Sequence, residues 1–179
     1  MAVRAAPALI LAAVTVAAPA ALGSARSTSS GTIARIDHVA DGDTVDLTNG
    51  ARVRLVQIDT PEVYFRPECY GRRASAATKK LLPPGTLVRL TVEPATDRID
   101  EYGRLLRYVI RVRDGVNVNV RLVAVGAAAP YFYDGRRGRY ARLLERLARR
   151  ARARRLGLWG ACPGTPYRPS SGVQTGRPR

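Results

Sequence analysis

The chain is poor in the residues that most often mark a site. Its 179 residues include one histidine, two cysteines, one tryptophan and one methionine, and 14 Asp plus Glu stand against 30 Lys plus Arg. Two cysteines exclude a disulfide-dense miniprotein. With one histidine and no third cysteine, they also argue against a thiolate–imidazole metal centre. Lysine is nearly missing: Lys79 and Lys80 are the only two, so 28 of the basic residues are arginine. A GC-rich genome and selection for bidentate phosphate contact both remain open as the source of that excess. What the chain does have is a 46 % hydrophobic composition, enough to bury a core, which excludes wholesale disorder. Its length suggests a single domain. A net charge of +16 points to a polyanionic partner. Nucleic acid, an anionic membrane surface and an acidic polymer all satisfy it.

The first 25 residues read as an address. Arg4 precedes an apolar run from Ala5 to Gly23, and Gly23-Ser24-Ala25 resembles a small-x-small cleavage site. A retained membrane anchor is the alternative, but Pro7 and Pro19 interrupt the run and alanine is only weakly apolar. The expectation is a signal peptide over 1–25, a Ser/Thr-rich linker over 26–30, a folded domain over 31–162 and a disordered basic tail over 163–179, whose prolines are Pro163, Pro166, Pro169 and Pro178. The product would be secreted, with no stable membrane association after cleavage, and monomeric. In an oxidising compartment Cys69 and Cys162 are expected to bridge; two free buried thiols are the alternative. The chain-entropy model puts such a long closed loop at about 4–5 kcal/mol, as an upper guide.

Along the domain, strands are expected at Thr32–Val39, Thr44–Leu47, Arg52–Ile58, Thr86–Val92 and Leu105–Val112. Asn49-Gly50 marks the hairpin turn after the second, and Thr60-Pro61 ends the third. Helices are expected at Gly71–Leu82, Val118–Val125 and Arg139–Arg155. The last repeats Tyr140, Leu143, Leu144, Leu147, Ala148 and Ala151 on one side. Five short strands with few helices suggest a small closed barrel, and a five-stranded OB-type barrel is the economical choice, in the α+β class.

Two acidic clusters flank the second and third strands: Asp41-Gly42-Asp43-Thr44 and Asp59-Thr60-Pro61-Glu62. Hairpin-linked strands could bring Asp43 and Asp59 to one end of the sheet, where a hard cation such as Ca²⁺ or Mg²⁺ would relieve their repulsion. Alone, Asp-Gly-Asp is most often just a turn. It is not an EF-hand, since Val45 and Arg52 fall where that loop needs its fifth and twelfth ligands. Arg54 and Arg104 add what phosphodiester hydrolysis asks for beside a metal and carboxylates: positive charge for the oxygens of the transition state. His38, the only histidine, reads as a strand residue with no catalytic part.

Taken together, Asp41-Gly42-Asp43-Thr44-Val45, Arg54 to Glu62, Asp100-Glu101-Tyr102-Gly103-Arg104 and Val118-Asn119 resemble the staphylococcal-nuclease (thermonuclease) family, over about Thr32 to Trp159. The resemblance implies a five-stranded OB-fold barrel plus three α-helices. It also implies a Ca²⁺-dependent, sugar-nonspecific nuclease acting on DNA and RNA, which cleaves the P–O5′ bond and leaves 3′-phosphate ends. By motif position, Asp43 and Asp59 are the calcium carboxylates and Thr60 adds its backbone carbonyl. Glu62 is the general base, and Arg54 and Arg104 are the phosphate-binding pair. Asp41 supports its loop. Tyr102 is similar to the tyrosine at the terminal phosphate of a bound nucleotide, and Tyr131 and Tyr133 to the pair lining the base pocket; for Tyr133, packing at the barrel rim is a close rival. Glu101 departs from the family, standing where the staphylococcal enzyme has lysine. A non-catalytic nucleic-acid-binding OB-fold is the alternative, countered by the presence of all five charged site residues. A membrane-active role for the last helix is weaker still, because its leucines read as core contacts.

The charge is unevenly placed. Residues 31–130 hold 15 basic and 12 acidic residues, whereas residues 131–179 hold 13 basic and 2 acidic. The excess therefore lies away from the candidate site, on the last helix and the tail.

Overall fold

Short alternating segments set the strands, and the strands close on themselves. The computed structural model describes Met1 and residues 31–178. The expected leader and linker therefore lie outside the described residues, Met1 apart. The strands are β1 (Thr32–Val39), β2 (Thr44–Leu47), β3 (Arg52–Leu55), β4 (Ile58–Asp59), β5 (Leu87–Thr91), β6 (Leu105–Arg111) and β7 (Ala129–Pro130). The helices are α1 (Gly71–Leu81), α2 (Val118–Ala124), α3 (Ala141–Ala153) and the one-turn α4 (Leu158–Ala161). β1, β2, β3, β6 and β5 form a closed barrel in that order. Only the β3–β6 pairing is parallel. This is the expected five-stranded OB-type barrel with its three helices; α4 and the small β4–β7 sheet are additions.

Alternation decides which side chains fill the barrel. In β3, Val53 and Leu55 are fully buried while Arg52 is exposed and Arg54 half-buried. Ile36, Val45, Val88 and Val109 join them from the other strands. α2 is tied to this core by a polar anchor. Asn119 is fully buried; its Oδ1 accepts from the Val109 N–H at 3.0 Å and its Nδ2 donates to the Val56 carbonyl at 2.9 Å. α3 lays Ala141, Leu144, Ala148 and Ala151 on the core, with Leu147 partly buried against it. Among the described residues no helix is long and apolar enough to cross a membrane.

Two expectations change. The third strand does not run on to Ile58: it ends at Leu55, and Gln57 adopts a left-handed φ of 65°. The buried Gln57 amide holds that turn by donating to the Arg136 carbonyl at 2.7 Å and accepting from the Gly138 N–H at 2.9 Å. The chain is thereby redirected, and Ile58–Asp59 pairs with β7 instead of extending the barrel. The tail is also not disordered over 163–178. Val173 is buried with Ala129, Ala151, Leu158 and Trp159, and Tyr167 lies 6.1 Å from the Trp159 ring. Sparse apolar residues packed on the rest of the fold help hold it, without any periodic pattern. Cys69 and Cys162 form a disulfide.

Candidate active site

The site begins with a turn. Asp41 Oδ1 accepts from the backbone N–H groups of Asp43, at 3.0 Å, and Thr44, at 2.7 Å, which folds the acidic loop on itself and leaves Asp41 in the supporting role expected of it. Gly42 lets this turn approach the second cluster: a Cβ there would lie 2.3 Å from Thr60 Oγ1. Thr78 of α1 secures the turn from behind, its hydroxyl donating to the Gly42 carbonyl at 2.5 Å.

This approach joins the two acidic clusters. The buried Asp43 accepts at Oδ2 from the Thr60 N–H, at 2.8 Å, and the Thr60 hydroxyl, at 2.9 Å. Arg54 reaches both acids: Nη1 lies 3.0 Å from Asp43 Oδ2 and Nη2 lies 2.6 Å from Asp59 Oδ1. The family resemblance implies a phosphate-binding role for Arg54. The structure shows it as the counter-charge that allows two carboxylates to be buried side by side. Only the folded strand order could reveal this, because β3 and the turn after it bring position 54 between positions 43 and 59.

The electrostatics suit a cation. Burial pushes the Asp43 carboxyl up to about 7; Arg54 opposes the rise, while Asp59 and Asp41 add to it. Burial pulls the Arg54 guanidinium down, but Asp43, Asp59 and Asp41 outweigh it and hold it charged. The donors gathered here are oxygens, which fit a hard divalent cation. Among the described residues no three His, Cys, Asp or Glu side chains form a metal-binding group. The two carboxylates would therefore need backbone carbonyl and water oxygens to complete a coordination shell.

Beside the acids lies a cavity of about 470 Å³, lined among others by Arg54, Arg104, Tyr102, Tyr131 and Tyr133. Five of the residues expected at the site are thus brought to one space. Arg104 Nε sits 2.7 Å from Asp100 Oδ2, and its guanidinium carbon lies 5.2 Å from the Tyr102 ring centre. Tyr102 and Tyr133 are largely exposed. Tyr131 and Tyr133 meet edge to face at 6.3 Å, so Tyr133 serves the cavity wall and is not buried as rim packing.

Glu62 stands apart from this cavity and lines a neighbouring hollow with Glu68 and Cys69. Its side chain is at the surface, while its backbone N–H donates to Glu68 Oε2 at 3.2 Å. Partial burial raises its carboxyl above the ordinary value, and Asp59 and Asp41 raise it further. A carboxylate made more basic by partial burial and by neighbouring acids has the character of a general base. Gln57 and Thr78 were not foreseen as supports of the site. A polar residue breaking the strand alternation was the one available signal for Gln57.

The chain matches the family described as Staphylococcal nuclease homologue over residues 52–161. It is 35% identical over 131 residues to the thermonuclease of Staphylococcus intermedius, an overlap covering 69% of this chain and 74% of that protein. It is 38% identical over 109 residues to endonuclease YhcR of Bacillus subtilis (strain 168), covering 54% of this chain and 9% of the relative. The SPbeta prophage-derived endonuclease YokF of the same organism is 34% identical over 130 residues, covering 69% of this chain and 43% of the relative. The chain thus spans less than half the length of either Bacillus protein.

Proposed function

The chain belongs to the staphylococcal nuclease family, and from that premise we propose that it is a secreted, Ca²⁺-dependent nuclease that hydrolyses phosphodiester bonds of DNA and RNA to 3′-phosphate products. The observation that carries this reading is the double placement of Arg54. It bridges Asp43 and Asp59, and it lines the cavity shared with Arg104 and the three tyrosines.

Ca²⁺ bound by Asp43, Asp59 and the Thr60 carbonyl would supply Lewis-acid polarisation of a phosphoryl oxygen and a site for water. Glu62 takes a proton from the attacking water, a task suited to its raised basicity. Arg54 and Arg104 stabilise the charge that grows on the phosphoryl oxygens and on the departing O5′. Arginine suits that role because its planar fork matches two phosphate oxygens at once. Tyr131 and Tyr133, which line the cavity, would stack on the bases, and Tyr102 would contact the terminal phosphate of a bound nucleotide. Stacking of this kind tolerates any base and either sugar. Secretion is supported by the leader pattern and by the Cys69–Cys162 disulfide, which belongs to an oxidising compartment.

The test is digestion of plasmid, single-stranded DNA and RNA with Ca²⁺, Mg²⁺ or excess chelator, followed by end-group analysis. Cleavage of all three with Ca²⁺, giving 3′-phosphates, is expected. Activity that persists in chelator, or 5′-phosphate ends, would overturn the mechanism.

A further inference from the structure

The tail returns to the site, and it is anchored at both ends. Cys162 is bonded to Cys69. Fourteen residues later the chain comes back to the same residue: the Cys69 N–H donates to the Gly176 carbonyl at 2.7 Å, and the Thr175 hydroxyl donates to the Cys69 carbonyl at 2.6 Å. Between these anchors the Phe132 N–H donates to the Pro169 carbonyl at 2.6 Å, and Val173 is buried. At the crest of the loop the Val173 N–H donates to Asp59 Oδ2 at 2.8 Å. Gly172 is required there. Its φ is +75°, and a Cβ on it would stand 2.7 Å from Asp59 Oδ2 and 3.9 Å from Tyr131 Cδ2.

Asp59 is therefore held from two sides, Oδ1 by Arg54 and Oδ2 by the tail. We propose that residues 162–176 form a permanent strap whose Val173 N–H orients the Asp59 carboxylate as a metal ligand. Gly172 and Val173 are then positioning residues that act through Asp59. This rests on the calcium reading above. Outer hydrogen bonds to a ligating carboxylate fix its orientation, and their loss commonly weakens metal binding by about 10–100-fold. A removable lid would have to uncover the buried Val173 side chain and break the bonds to Cys69, Phe132 and Asp59 together. The disulfide at the root of the strap keeps its anchor close even then.

The experiment compares full-length wild type, Val173→Pro, Val173→Ala and Gly172→Ala. Calorimetry gives the Ca²⁺ affinity, and thermal melting in chelator gives the stability. Val173→Pro removes the donor, and Val173→Ala trims the buried side chain but keeps the donor. Gly172→Ala pushes a methyl group against the carboxylate. The strap predicts Ca²⁺ binding about tenfold or more weaker in Val173→Pro and Gly172→Ala. Val173→Ala should melt lower but bind within about threefold of wild type, the donor it keeps being the group that holds the ligand. Equal weakening in Val173→Ala and Val173→Pro would show that packing and not the N–H is responsible, and would overturn the assignment. So would unchanged affinity in both Val173→Pro and Gly172→Ala. Tighter binding or faster turnover in these two would make the strap an inhibitory lid. A wild type that binds no Ca²⁺ overturns the calcium reading itself, and with it the strap's role.

Discussion

Replacing Arg54 with glutamine should cost stability in a way that Ca²⁺ repairs and activity in a way that it does not. Arg54 is 13% exposed and bridges Asp43, 8% exposed, and Asp59, 20% exposed. Removing one partner of a buried ion pair leaves an uncompensated charge, typically at about 3–5 kcal/mol. The lower end applies here, because Asp59 retains some solvent and the Val173 N–H, so about 3 kcal/mol is expected. At this chain length, about 2–4 °C of melting temperature goes with each kcal/mol, which gives a fall of about 6–12 °C in chelator. The measurement belongs near pH 8.5, above the value of about 7 to which burial pushes Asp43, so that Asp43 is ionised in wild type. Added Ca²⁺ supplies the missing positive charge and should stabilise Arg54→Gln more than it stabilises wild type. Turnover at saturating Ca²⁺ should stay about 10²–10³-fold down, because a donor to the transition state is gone. A variant that melts within about 2 °C of wild type in chelator, on the same scale of degrees per kcal/mol, would refute the bridging role. Equal Ca²⁺ stabilisation of the two proteins would refute it as well.

Glu62→Gln should lower turnover by about 10²–10⁴-fold while leaving the melting temperature nearly unchanged, since the side chain is at the surface; single-turnover cleavage and thermal melting check the two halves. In chelator, stability should fall as pH rises. Asp43 titrates near 7 in the fold against 3.8 ordinarily, so the folded chain holds a proton that the unfolded chain has released across that window. Melting curves from pH 5 to 8 should show this decline in wild type and not in Asp43→Asn. Arg104→Ala should lose turnover without the Ca²⁺-repairable loss of stability seen for Arg54→Gln, because its partner Asp100 lies outside the Asp43–Asp59 pair; calorimetric Ca²⁺ affinity close to wild type is the check.

The barrel was legible because its strands alternate and its turns carry recognisable chemistry. Val53 and Leu55 against Arg52 and Arg54, with Asn49-Gly50 before them, leave little choice of local structure. The acids were legible for the same reason, since Asp-Gly-Asp and Thr-Pro both terminate strands and so deposit carboxylates at one end of the sheet. Residues whose roles depend on long-range approach were not legible. Gln57 looked like one more strand position, yet its amide is spent on a loop some eighty residues away. The bridging of Arg54 was not legible either, because its two acid partners meet only in three dimensions. The tail misled through composition. Proline, serine and glycine signal disorder on average, but a buried valine, a partly buried tyrosine and hydrogen bonds to Cys69, Phe132 and Asp59 seat a segment that is covalently tethered at its root.

The unequal distribution of charge leads to a prediction about long substrates. α3 turns Ala141, Leu144, Ala148 and Ala151 to the core, and Arg142, Arg146, Arg149 and Arg150 are exposed. The membrane-active alternative needs an unburied apolar face on this helix, and that face is used up in the core. What remains outside is a cluster of fixed positive charge on a helix that packs on β7, the partner strand of β4 and Asp59. Each phosphate neutralised on duplex DNA contributes about 0.9 to the slope of log affinity against log salt. Changing the four arginines to glutamine should therefore flatten that slope by up to about 3–4 for plasmid DNA, with binding weakened in proportion. A dinucleotide substrate reaches only the cavity, so its hydrolysis should be nearly unaffected. If the dinucleotide slows as much as the plasmid, the helix acts on the site itself, and the role of these arginines in gathering polymer is wrong.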